Sequence, residues 1–155
     1  IWNEAAFADA GIRLRFVQDN HSLSRDVGVL RGLHFQSPPQ AQDKLVRVTR
    51  GAVFDVAVDI RPDSPTYRQW LGRHLSAAEW NQLLIPRGFA HGFLTLEPDT
   101  EVQYKVTAPY SREHDRAIRF DDPAIGIEWP MAREALILSD RDRSAPLLAE
   151  IETGF

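Results

Sequence analysis

The chain has 155 residues, 43% of them hydrophobic and 26% charged, with no cysteine and a net charge of −4 from 18 basic and 22 acidic side chains. That length suits one domain with a real core, and the missing cysteines exclude disulfides, thiolate nucleophiles and Cys-ligated zinc. The acidic balance argues against nucleic acid as a partner, and with no apolar run long enough to span a membrane and no signal-peptide pattern, a soluble cytoplasmic protein is expected.

No repeat, low-complexity tract or linker divides residues 1–155, which read as a single domain. The chain starts Ile1-Trp2-Asn3 and its one methionine is Met131, so a shortened form of a somewhat longer protein is expected. Residues 3–10 could form a short helix. Strands are expected over 12–18, 27–36, 44–50, 52–61, 67–75, 82–85, 91–96, 100–107 and 116–120. The clearest is 100–107, where Val102, Tyr104 and Val106 alternate with Glu101, Gln103 and Lys105. Over 44–50, Lys44 shares a face with Val46 and Val48. Turn signals separate the runs at Ser37-Pro38-Pro39, Arg61-Pro62-Asp63, Pro86-Arg87-Gly88 and Glu97-Pro98-Asp99. Residues 76–81 open with a Ser N-cap and carry Glu79 at the third helical position, which predicts a short helix. Residues 140–150 form a C-terminal helix or turn. Many short strands joined by Pro/Gly turns imply an all-β fold, an antiparallel sandwich or barrel with short peripheral helices.

Four stretches could carry chemistry. In GVLRGLHFQ (28–36), Arg31 and His34 would face opposite ways on a regular strand. Gly32 lies between them, where a bulge could turn both to one side; otherwise His34 is a core residue and Arg31 points to solvent. In IPRGFAHGF (85–93), Pro86-x-Gly88-x-x-His91 resembles the second conserved stretch of the cupin superfamily, whose histidine often ligates a metal. No His-x-His partner motif exists among the five histidines, so a metal-free site is favoured. In LILSDRDRSAPLL (136–148), the charges are bracketed by leucines and isoleucine. That segment packs on the body, and a carboxylate in it could orient a histidine. Finally, Lys44 on a valine-lined face either snorkels or holds an anion, and Tyr104 on the apolar face of its strand is structural or catalytic.

Together with FVQDNHSLS (16–24), DKLVRVTRGAVFDVAVDIR (43–61), YKVT (104–107) and FDDPAIGIEWP (120–130), these stretches resemble the dTDP-4-dehydrorhamnose 3,5-epimerase family from about residue 16 to about residue 148. The resemblance implies a jelly-roll (cupin) β-sandwich, a homodimer, and an isomerase of dTDP-rhamnose and cell-wall polysaccharide biosynthesis acting on dTDP-4-dehydro-6-deoxy-D-glucose. It implies His34 as general base, Asp142 as its partner, Tyr104 as general acid, and Lys44 as the group that stabilises the oxyanion. Arg31 and His91 would line the sugar and diphosphate pocket, with Gln18, Asp19 and Asn20 at the nucleotide. Arg141 stands where the family usually has a lysine and Asp115 where it often has a glutamate; both are expected at the substrate. Ile1 is expected to fall after the N-terminal segment of the family. The implied chemistry removes a proton beside the C4 ketone and returns one to the other face, which calls for an imidazole titrating near ~6.5 and a positioned cation and for no metal, nicotinamide or other cofactor. The alternatives are an epimerase of one carbon only, as in antibiotic deoxysugar pathways, a metal-dependent cupin oxygenase or isomerase, and a non-catalytic sugar-nucleotide-binding module.

Overall fold

A computed structural model describes residues 2–155. Its strands are β1 (Gln18–Ser24), β2 (Val29–Gln36), β3 (Lys44–Arg50), β4 (Ala52–Asp59), β5 (Trp70–Ser76), β6 (Gln82–Ile85), β7 (Phe89–Thr95), β8 (Thr100–Val106), β9 (Asp115–Ala117) and β10 (Ile137–Leu138). Two short helices, α1 (Glu4–Asp9) and α2 (Asp140–Arg143), lie outside the sheets. One sheet has the order β1-β8-β3-β6 and the other β10-β2-β7-β4-β5, with β9 paired to β2. The result is the expected two-sheet β-sandwich.

Period-two alternation decides what fills the sandwich. At one end the inward rows are apolar: Val46, Val48 and Val102 from the first sheet meet Val53, Leu75 and Phe93 from the second. At the other end the same rows carry Lys44, Tyr104, His34, Asp55 and His91, so half of the interior is core and half is polar cleft. The outer face of the second sheet is also covered. Leu33, Phe35, Val56, Val58 and Ala90 pack beneath Ile118, Ile125 and Leu148 of the C-terminal segment.

Sequence expectations need correction at residues 12–17 and 76–81. Residues 12–17 are not a strand; β1 begins at Gln18, and its inward residues are Gln18, Asn20 and Ser22, which face the cleft. A strand whose buried row is polar gives no hydrophobic alternation. Residues 76–81 are not a helix but the end of β5 and a turn over 77–80, although Ser76 Oγ does accept the Glu79 amide at 3.1 Å, as a cap would. Trp80 adopts a left-handed backbone (φ 55), and Asn81 folds back to donate to the His74 carbonyl at 2.8 Å. Residues 140–150, expected as a helix or turn, hold the four-residue α2 and a 3-10 turn at Leu148–Glu150.

The anticipated bulge is present: the β2–β7 register shifts between Arg31 and His34. Gly32 has φ 131 and packs on Gly92, where a Cβ on Gly32 would meet the Gly92 Cα at 2.5 Å. A Cβ on Gly92 would meet the Arg31 carbonyl oxygen at 2.9 Å, so β2 would have to move. Gly92→Ala is therefore expected to lower stability by about 1–3 kcal/mol, measurable by urea unfolding; an unchanged midpoint would mean that the strands can part freely here.

Candidate active site

The polar end of the sandwich opens into a cleft of about 660 Å³. The bulge turns both Arg31 and His34 into it, which a regular β2 could not do. The parallel pairing of β10 with the start of β2 (Ile137 with Val29, Leu138 with Leu30) lays the C-terminal segment beside β2. Asp142, 108 residues away in sequence, thereby reaches His34, with Nε2 and Oδ1 2.5 Å apart. Asp142 is 3% exposed. Burial pushes its carboxyl pKa up, but bonds from His34, Ser139 and the Gly32 amide outweigh that and hold it below the usual carboxylate value. It stays ionised at neutral pH.

Lys44 is buried on β3, and its Nζ donates to the His34 carbonyl at 3.4 Å. Burial pushes the ammonium down to about 8, and the negative charges of Asp115 and Asp55 oppose a further fall. Tyr104 projects into the cleft from the facing sheet. Its phenol is pushed up by burial, down by Arg31 and up again by Asp115, with a net rise that keeps it protonated at neutral pH.

The remaining expected residues divide. Gln18, Asn20, His91, Asp115 and Arg141 all line the cleft. Arg141 bonds Asp115 at 2.8 Å, and Tyr110 Oη donates to the same Asp115 oxygen at 3.1 Å. Asp19 does not face the cleft. Alternation along β1 puts it on the opposite face, where it accepts from Lys105 Nζ at 2.7 Å. His91 lies deep, with Nε2 3.0 Å from both oxygens of the fully buried Asp55. Among the described residues no group of three or more His, Asp or Glu is placed to hold a metal ion.

Asp55, Ser139 and Tyr110 escaped the sequence reading. Asp55 had a signal, an acid in the middle of the inward row of a largely apolar strand (AVFDVAVD). Ser139 also had one, the Ser-x-x-Asp spacing of an N-cap. Tyr110 sits in a loop beside Pro109, where no periodicity marks it.

The dTDP-4-dehydrorhamnose 3,5-epimerase family model matches residues 1–150. A protein of that description from Sinorhizobium fredii is 55% identical over 154 residues, covering 99% of this chain and 76% of its own. The solved structure of the Bacillus anthracis epimerase with TDP and PPi bound superposes with a TM-score of 0.91 at 50% identity, over 94% of this chain and 82% of the other. The Legionella pneumophila enzyme in complex with dTDP-4-keto-L-rhamnose gives a TM-score of 0.92 at 47% identity, over 97% and 79%.

Proposed function

The chain belongs to the dTDP-4-dehydrorhamnose 3,5-epimerase family and is an epimerase of dTDP-4-dehydro-6-deoxy-D-glucose; from that premise we propose that His34 is the base, Tyr104 the acid and Lys44 the oxyanion partner of the reaction. The observation that carries this assignment is the placement of the three groups. His34 lies on one sheet with Asp142 of α2 against it, the protonated Tyr104 on the facing sheet, and the Lys44 ammonium in the same cleft.

In a gluco-configured chair the protons on C3 and C5 are both axial and on the same face. One base on that face can therefore take either. The electron pair left behind spreads onto the C4 oxygen as an enolate, where the Lys44 charge stabilises it. Inversion needs a proton from the other face, which Tyr104 supplies. Asp142 holds the imidazole and stabilises its charged form. Once His34 has released its proton to solvent and Tyr104 has regained one, repeating the cycle at the second carbon gives dTDP-4-dehydro-L-rhamnose. The anionic diphosphate of the substrate is attracted locally, by Arg31 and Arg141, since the net charge of −4 repels it. Gln18, Asn20 and Asp115 border the same end, and the exposed ring of Tyr110 offers a face for the planar base. No helix among the described residues is long and apolar enough to cross a membrane. We read the protein as a homodimer working in the cytoplasm and supplying a deoxysugar for cell-wall polysaccharide.

Proton NMR in D₂O with dTDP-4-keto-6-deoxyglucose tests the function: deuterium should enter at C3 and C5 with inversion of both centres. Exchange at one carbon alone would make the protein a single-carbon epimerase. Tyr104→Phe separates the two half-steps. Inverted product should fall about 10²-fold, while deuterium still enters substrate of unchanged configuration, returned by His34 from its own face. Equal loss of exchange and inversion would contradict the role given to Tyr104.

A further inference from the structure

The reading of His34 as base leaves open what aims it. Asp142 has two oxygens, and only one faces the imidazole. Oδ1 meets His34 Nε2, while Oδ2 accepts the Ser139 hydroxyl at 2.9 Å. The same Ser139 oxygen accepts the Asp142 amide at 3.1 Å, closing a ring between the side chain and backbone of one residue and the hydroxyl of the other. A carboxylate held at one oxygen and at its own backbone cannot rotate about its last bond without breaking these contacts.

We propose that Ser139 is a positioning residue of the epimerisation: its hydroxyl forms a fixed cradle for Asp142 that leaves Oδ1 to hold the His34 ring. This rests on the proposed role of His34. The bulge turns His34 into the cleft, where this carboxylate meets it. Ser139 touches no reacting atom in this arrangement, so its effect passes wholly through Asp142.

Ser139 also caps α2, so a merely structural role has to be separated. Glycine substitutes for serine at an N-cap with little loss, whereas alanine does not; both lack the hydroxyl, and threonine keeps it. The test compares S139A, S139G and S139T with the unmodified protein by thermal unfolding, by kcat and KM for dTDP-4-keto-6-deoxyglucose, and by the downfield proton resonance of the His34–Asp142 bond. Expected is a fall in kcat of about tenfold in both S139A and S139G, with KM little changed. The downfield resonance should broaden into exchange with water in the same two variants, and S139T should restore both signals. Other charged or titratable groups of the cleft, Arg31, Lys44, His91, Tyr104, Asp115 and Arg141 among them, are untouched by these changes. A kcat that tracks thermal stability, with S139G near normal and S139A impaired, would overturn the proposal. So would a resonance of unchanged width in S139A and S139G. A wild-type protein that exchanges neither sugar proton would refute the epimerase reading, and the resonance would still judge the cradle.

Discussion

Replacing His34 with asparagine is expected to slow exchange of both the C3 and the C5 proton by about 10²–10⁴-fold, the usual contribution of a positioned general base. The binding of dTDP should be little altered. Asparagine keeps a polar side chain of similar size against Asp142, so the variant tests proton transfer and not packing. The physical basis is that His34 Nε2 is committed to the Asp142 carboxylate at 2.5 Å, which leaves Nδ1 to accept the proton from carbon. Because the axial protons on C3 and C5 share a face, loss of one imidazole must silence both. Solvent-deuterium incorporation followed by NMR at each carbon, beside calorimetric titration with dTDP, measures the two halves of this statement. Loss at one carbon only would show that two bases operate and would dismantle the single-base scheme.

The second large effect is at Lys44, where function and stability should move in opposite directions. In the unfolded chain a lysine titrates at its ordinary value of 10.5, but in the fold burial brings Lys44 to about 8. Below pH 8 both states carry the proton, and the folded state bears the full penalty of a buried ammonium. Between about 8 and 10.5 the folded lysine has released its proton and the unfolded one has not, so stability attributable to this group rises with pH across that window. The gap corresponds to about 3 kcal/mol. Lys44→Met removes the penalty at neutral pH, but Asp55 and Asp115 lose a neighbouring positive charge, so a net gain of about 1–3 kcal/mol is expected in urea unfolding. The same variant should lose about 10²–10³-fold in kcat, since the enolate oxygen loses its cation. In the unmodified enzyme the loss of that proton should set an alkaline limb near pH 8. A variant neither more stable nor slower would refute the account of a charge buried for catalysis.

Much of this site could be read from the chain before any fold was known, and the residues show why. Lys44 stood out because a charged side chain shared a row with Val46 and Val48. Tyr104 stood out because β8 alternates cleanly. Arg31 and His34 could be brought together only by a bulge, and Gly32 was the residue to allow one. Each of these is a local signal, carried by spacing within a single strand. The differences are local too. Polar alternation in β1 is invisible to a search for apolar rows, and Asp19, expected at the substrate with Gln18 and Asn20, points to the opposite face, as the middle of three strand residues does.

What the sequence by itself determined is therefore the period-two pattern, the turn positions, the absence of thiol chemistry and the motif set that resembles one family. Those follow from side-chain type and short-range backbone geometry, which a linear chain already contains. What only the tertiary structure decided is which long-range partners complete each functional group. The pairing of β10 with β2 closes 108 residues to join Asp142 to His34. The neighbouring β4 sets Asp55 against His91. The short turn before α2 brings Ser139 back onto the carboxylate. The shifts at Asp142, Lys44 and Tyr104 likewise exist only in the fold, because desolvation and opposing charge depend on what packs around a group and not on its neighbours in sequence.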